Sequence, residues 1–309
     1  MIRLYQETNN GTRWRCSLQE VLTMTVIIPT FQLSATAHIG RVALKVANLE
    51  KMTRFYQEVI GLQVLEQNEK QSTLGVDNTV LLELHKVQNP LPITPKTGLY
   101  HVAFLLPTRK DLGNALRHYL TIEAPLIGAS DHGYSEALYL NDPEGNGIEV
   151  YRDKPQNEWD VRADGEIVGV TLEMDVEAVI SASDGAGEGF PAGTTVGHVH
   201  LKVADLMQTE KFYTEVLGLS LKNNFGNQAK FFAAGDYHHH IGSNIWLGKN
   251  IPAMTKNDLG LDYFSFSVPN QAELDRLEER WKNRIDYTKE ANGSLTVVDP
   301  NGITIRFEK

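Results

Sequence analysis

Ten of the 309 residues are histidine, and three of them stand in a row at His238, His239 and His240. Imidazole suits proton transfer near neutral pH because its unperturbed pKa is about 6.5, and in its neutral form it is also a metal ligand. Other histidines sit in patterned surroundings. His198 and His200 lie in the stretch Gly197-His-Val-His-Leu-Lys-Val203, and His101 lies in Leu99-Tyr-His-Val-Ala-Phe104. His132 opens a longer stretch that runs through Leu138-Tyr139 and Asp142-Pro143-Glu-Gly145 to Glu149. Imidazoles and a carboxylate brought together can hold a divalent cation or exchange protons with a substrate. A lone histidine on a strand is more often a satisfied core residue, so the elements that carry these side chains decide between the two readings.

Those elements are duplicated. Gly40-Arg-Val-Ala-Leu-Lys-Val-Ala-Asn-Leu49 matches Gly197-His-Val-His-Leu-Lys-Val-Ala-Asp-Leu206, with 157 positions between equivalent residues. Phe55-Tyr56 and Phe212-Tyr213 repeat at the same spacing, as do Asp142-Pro143-Glu-Gly145 and Asp299-Pro300-Asn-Gly302. Within each copy an alternating Val/Leu-rich run reads as a strand. Asn48 or Asp205 then caps a helix, whose apolar positions Leu49, Met52, Phe55, Tyr56 and Val59 recur at helical spacing. Gly61 or Gly218 ends it, and strands follow. Each copy divides again, with strands at 99–106, 137–140 and 147–151 and a helix at 110–120 in the first. The second copy has strands at 261–268, 295–298 and 303–307 and a helix at 271–282. The expected fold class is α+β, made of four βαβββ modules in two tandem domains. Residues 1–36 read as an N-terminal extension, 37–152 as the first domain, 153–196 as a linker with an exposed loop at 181–189, and 197–309 as the second domain.

Composition narrows the class of function. Net charge is −10, which disfavours nucleic acid or an anionic membrane surface as the main partner. A single cysteine, Cys16, excludes a disulfide framework or a cysteine-rich metal site. No apolar run approaches the length of a membrane span. The apolar stretch Val26-Ile27-Ile28 is cut short by Pro29, too soon for a signal peptide, and Met24 offers an alternative start. A cytoplasmic protein is expected, with a homo-oligomer left open.

Four βαβββ modules with these motifs resemble the vicinal oxygen chelate superfamily, which includes glyoxalase I, bleomycin and fosfomycin resistance proteins and extradiol dioxygenases. The stretch from His132 to Glu149 is similar to the signature of the extradiol dioxygenases, with Ser130 as a departure from the pattern. That resemblance implies an Fe(II)-dependent enzyme that inserts O2 into the ring of a small aromatic diol, a catechol. It implies His101, Glu149 and His198 as the metal ligands; strand alternation puts His200 on the same face as His198, as its main rival. It also implies Tyr139 and His132 as active-site residues, and His239 as the base. Strand alternation from Ile241, Ile245 and Leu247 instead turns His240 and Asn244 to the metal, so both histidines stand as candidates. A two-histidine, one-carboxylate triad leaves three positions open on an octahedral ion, two for a catechol and one for O2. Mn(II) or another divalent metal would suit the same donors.

Module four keeps the Asp299-Pro300-Asn-Gly302 turn but has Arg306 where Glu149 stands, so the turn is structural and the glutamate is additional. Arg41 and Tyr263 occupy the two histidine positions in modules one and four. A single complete triad therefore requires module two to pair with three, and one with four. The competing readings are a hydroquinone ring-cleaving dioxygenase, a glyoxalase-type isomerase or thiol transferase, and a non-catalytic binding module. The first uses the same triad. The second typically uses other ligand sets, and the third needs no ligands at all.

Overall fold

The computed structural model describes residues 26–185, 187 and 189–309. Most of the N-terminal extension, with Cys16 and Met24, lies outside the described residues. Module one comprises β1 (His38–Val46), α1 (Leu49–Arg54), β2 (Gln63–Gln67), β3 (Gln71–Val76) and β4 (Thr79–Lys86). Module two comprises β5 (Gly98–Leu105), α2 (Arg109–Thr121), β6 (Leu126–Asp131), β7 (Ser135–Asn141) and β8 (Gly147–Asp153). The segment that follows forms β9 (Leu172–Glu173) and α3 (Val176–Ser181). Module three runs through β10 (Thr195–Lys202), α4 (Leu206–Lys211), β11 (Ser220–Phe225), β12 (Ala229–Ala233) and β13 (Ile241–Asn244). Module four runs through β14 (Gly260–Ser267), α5 (Gln271–Trp281), β15 (Tyr287–Lys289), β16 (Leu295–Val298) and β17 (Thr304–Glu308).

The duplication is visible in local chemistry. Asn48 and Asp205 cap α1 and α4 by accepting backbone N–H groups. Both helices pass into a π-helical last turn, Phe55–Ile60 and Phe212–Val216. In each copy a buried tyrosine of that turn donates to the aspartate of the Asp-Pro turn: Tyr56 to Asp142 at 2.9 Å and Tyr213 to Asp299 at 3.3 Å. The aspartate in turn accepts backbone N–H groups of its own loop. The turn is thus a structural clasp in both copies.

Two sheets result, and each draws on both halves of the chain. The order β15-β16-β17-β14-β1-β4-β3-β2 joins modules four and one, and β11-β12-β13-β10-β5-β8-β7-β6-β9 joins modules three and two. The central seams β1/β14 and β10/β5 are antiparallel. Apolar side chains from strands and helices form a continuous core, with Met52, Phe104, Val150, Phe232, Phe264 and Trp281 among its sealed members. The segment expected as a linker is partly built into this body. β9 extends the second sheet and α3 follows it, while most of the other described residues of this segment are irregular.

Candidate active site

Strand register places the chemistry. On the β5/β8 ladder Ala103 stands opposite Glu149, and on the β5/β10 ladder it stands opposite His198. Tyr139 on β7 is opposite Glu149 on the other side. Residues paired across a ladder share a face, so Tyr139, Glu149, Ala103 and His198 form one row across four strands. His101 precedes Ala103 by two residues and lies on that same face, opposite His200. Ala103, with only a methyl group, leaves space between its larger neighbours.

The three side chains expected as ligands converge. His101 Nε2 and His198 Nε2 are 3.2 Å apart, and Glu149 Oε2 is 3.0 Å from the first and 3.3 Å from the second. All three residues are buried. An ion bonded at roughly 2.1 Å to three mutually cis donors would hold them about 3.0 Å apart, so the donor set and its spacing fit a divalent cation in a facial arrangement. Burial alone would raise the Glu149 carboxyl, but the facing imidazoles of His198 and His101 outweigh it and hold the group well below the usual carboxylate range. Burial pushes His198 down to about 4, against the attraction of Glu149. Near neutral pH the set therefore presents a carboxylate and a neutral His198 imidazole, the forms that bind metal.

The equivalent place between modules one and four is filled differently. Arg41 pairs with Glu83 at 3.3 Å and Glu308 at 2.6 Å. Tyr263 donates to Glu83 at 2.7 Å, and the Arg306 guanidinium lies 3.5 Å over the Tyr263 ring. Cations of the protein itself occupy that seam. Among the described residues the one cluster with metal-ligand geometry is His101, Glu149 and His198.

Around the triad, Tyr139 and His132 form a pair. His132 Nδ1–H donates to the Val170 carbonyl at 2.8 Å, which leaves Nε2 to accept the Tyr139 O–H at 2.6 Å. Burial and the Glu149 charge push the Tyr139 phenol well above its ordinary value, so it stays protonated. His239 packs against His198 with ring centroids 4.3 Å apart and planes tilted by 52°, and lies edge-on to Phe231. His200 is buried beside His101, Tyr100 and Trp246, and its Nε2 has no hydrogen-bond partner. The Asn244 amide nitrogen is also buried and unpartnered. Burial holds both His239 and His200 well below the ordinary imidazole value.

His240 is not brought to this cluster. Its ring packs on Tyr237 and Phe266, and its Nδ1 accepts the Ala234 N–H. The alternation of Ile241 and its successors does not extend back to His240, because β13 begins only at Ile241, so the histidine run precedes the strand and does not follow its period. Several residues at the site escaped the sequence reading. Tyr151 and Asp153 follow Glu149 at two and four positions, and period two from a candidate ligand would have found both. Tyr151 packs on His198, and its hydroxyl shares a hydrogen bond of 2.7 Å with Tyr237. A Cβ at Gly197 would fall 1.8 Å from that hydroxyl, so only glycine admits it. Trp159 and Val170 come from the segment expected as a linker, and no local pattern marks them.

Comparison with known proteins agrees with this architecture. The model of the Glyoxalase/Bleomycin resistance protein/Dioxygenase superfamily matches residues 38–150 and again 195–307. Catechol-2,3-dioxygenase of Bacillus subtilis (strain 168) is 44% identical over 278 residues, covering 87% of this chain and 96% of the relative. Biphenyl-2,3-diol 1,2-dioxygenase 3 of Rhodococcus globerulus is 32% identical over 132 residues, covering 39% of this chain and 66% of the relative. Glyoxalase I of Zea mays superposes with a TM-score of 0.52 at 15% identity, covering 88% of this chain and 92% of that structure, a likeness of fold alone. The duplicated βαβββ modules, the family match in both halves and the full-length dioxygenase relative place this chain in the Glyoxalase/Bleomycin resistance protein/Dioxygenase superfamily, as a ring-cleaving dioxygenase of the catechol-2,3-dioxygenase type.

Proposed function

We propose that His101, Glu149 and His198 hold a ferrous ion, and that the protein opens the ring of a catechol with O2 beside its paired hydroxyls. The observation that carries this reading is the mutual approach of three buried donor atoms to 3.0–3.3 Å, a spacing that suits one shared cation. A bound ferrous ion supplies adjacent positions for the two diol oxygens and for O2, and a route for electron density between them.

The chain's own residues supply the rest. His239, neutral and buried against His198, takes a ring-hydroxyl proton at Nε2 and can return it to the product side. Tyr139, protonated and opposite Glu149, offers a hydrogen bond at the edge of the metal site, and His132 holds its orientation. The buried, unpartnered His200 Nε2 offers one more polar contact. Tyr100 and Trp246, whose rings meet edge-on at 5.0 Å beside His200, form an aromatic wall suited to a planar ring. Burial of the polar groups excludes bulk water from the reacting atoms.

The test is anaerobic reconstitution with Fe(II), and in parallel with Mn(II), followed by oxygen uptake on a panel of catechols and on hydroquinone. Fe(II)-dependent uptake with a catechol, one O2 per ring and a coloured ring-opened aldehyde product, is expected. Uptake with hydroquinone alone would refute the substrate class, and activity with Mn(II) but not Fe(II) would refute the metal.

A further inference from the structure

The first histidine of the run has no role in the reading above, yet it is among the most buried polar residues of the protein, 2% exposed. Its two ring nitrogens are both engaged. His238 Nε2 lies 2.9 Å from Asp153 Oδ1, and His238 Nδ1 lies 2.8 Å from His239 Nδ1. Asp153 Oδ2 accepts the Tyr237 hydroxyl at 2.9 Å, and that residue is tied in turn to Tyr151. Tyr134 stacks flat on the His238 ring, with centroids 4.3 Å apart and planes at 14°, and Trp159 packs edge-on. The ring is therefore held on its faces by aromatic contacts and at both ends by hydrogen bonds.

We propose that Asp153 and His238 are positioning residues that lock His239 in its Nδ1–H tautomer, and so aim an Nε2 lone pair at the substrate. A carboxylate only accepts, so His238 carries its proton on Nε2. We take His238 as neutral, with its lone pair at Nδ1, so that the hydrogen bond to His239 forms only if His239 donates from Nδ1. His239 Nε2 is left unprotonated on the far side of the ring, and among the described residues the His238 contact is the one hydrogen bond His239 makes. The logic is that of an aspartate fixing the tautomer of a catalytic histidine, with one extra imidazole in the line. In the serine-protease triad, replacing that aspartate by asparagine leaves the geometry intact but costs about 10⁴ in kcat. The effect here passes through a second ring, and a smaller loss is expected.

This inference rests on the reading of His239 as the proton acceptor, and the experiment separates the two. In the full-length protein, free of metal and again with diamagnetic Zn(II), the imidazole ¹⁵N and ¹H resonances report which nitrogen of each histidine is protonated. His239 is expected on Nδ1 and His238 on Nε2, with both assignments redistributed in Asp153→Asn. In the Fe(II) enzyme, Asp153→Asn and His238→Phe should lower kcat roughly tenfold to a hundredfold, with KM and iron content close to those of the parent. His238→Gln, whose amide oxygen can still accept from His239, should recover part of the loss. An unchanged tautomer pattern in Asp153→Asn, or equal losses in His238→Gln and His238→Phe, overturns the inference. Full turnover in His239→Ala instead refutes the acceptor role itself, whatever the tautomers show.

Discussion

Replacing Glu149 with Gln tests the site at its charged member. The substitution keeps size and shape and one acceptor oxygen, but removes the negative charge. Glu149 Oε2 stands 3.0 Å and 3.3 Å from two imidazole nitrogens that already face each other at 3.2 Å, so a cation shared by the three would sit about 2 Å from the carboxylate oxygen. Breaking a buried charge pair by removing one partner typically costs about 3–5 kcal/mol. At about 1.4 kcal/mol per decade, that weakens Fe(II) or Zn(II) binding by roughly 10²–10⁴. Metal-free stability should change much less, because the carboxylate loses only hydrogen bonds to the two imidazoles, about 1–3 kcal/mol. The assay is anaerobic calorimetric titration with chelator competition, paired with the melting shift on metal addition. Ligand at about 1,000 times Kd stabilises by about 4 kcal/mol, and at the same metal concentration that gain should fall to about 1.4 kcal/mol or less in Glu149→Gln. A Kd within threefold of the parent, with the fold intact, would show that Glu149 does not hold the metal.

Three further outcomes are expected. His239→Ala should lower kcat by about 10²–10⁴, the usual contribution of a general base, while iron content stays near that of the parent; loss of iron would instead make His239 a ligand. The metal-free protein should lose stability on acidification, because burial pushes His198 down to about 4 and His240 down to about 3. The unfolded chain then binds more protons than the native state below about pH 6.5, so this stability is present above that pH and is lost as pH falls toward 4. At pH 5 each of these two imidazoles contributes about 2 kcal/mol to the loss, and urea midpoints that do not fall between pH 7 and pH 5 would contradict it. Gly197→Ala would drive a methyl into the Tyr151 hydroxyl and should cost about 1–3 kcal/mol of stability, as overpacking does; an unchanged urea midpoint would show that Tyr151 is free to move aside.

The sequence by itself determined the repeat, the alternation of strands and helices and the Asp-Pro-x-Gly turns, because these are local patterns of backbone preference and apolar period. It also marked the candidate donors, with their roles resting on resemblance. Module four, with its turn kept and Arg306 in place of the glutamate, showed that Glu149 is not demanded by the fold. Tertiary structure decided the meeting of donors. His101, Glu149 and His198 converge only because β5 is flanked by β8 on one side and β10 on the other, in a register that puts Ala103 between Glu149 and His198. Register between strands far apart in the chain is set by side-chain packing across the sheet, which no local window contains. The same limit explains His240. Alternation holds only inside a strand, and three-dimensional folding began β13 one residue too late for it to apply. Asp153, Trp159 and Val170 join the site through contacts long in sequence but short in space, where burial and hydrogen-bond geometry, rather than residue spacing, select the partner.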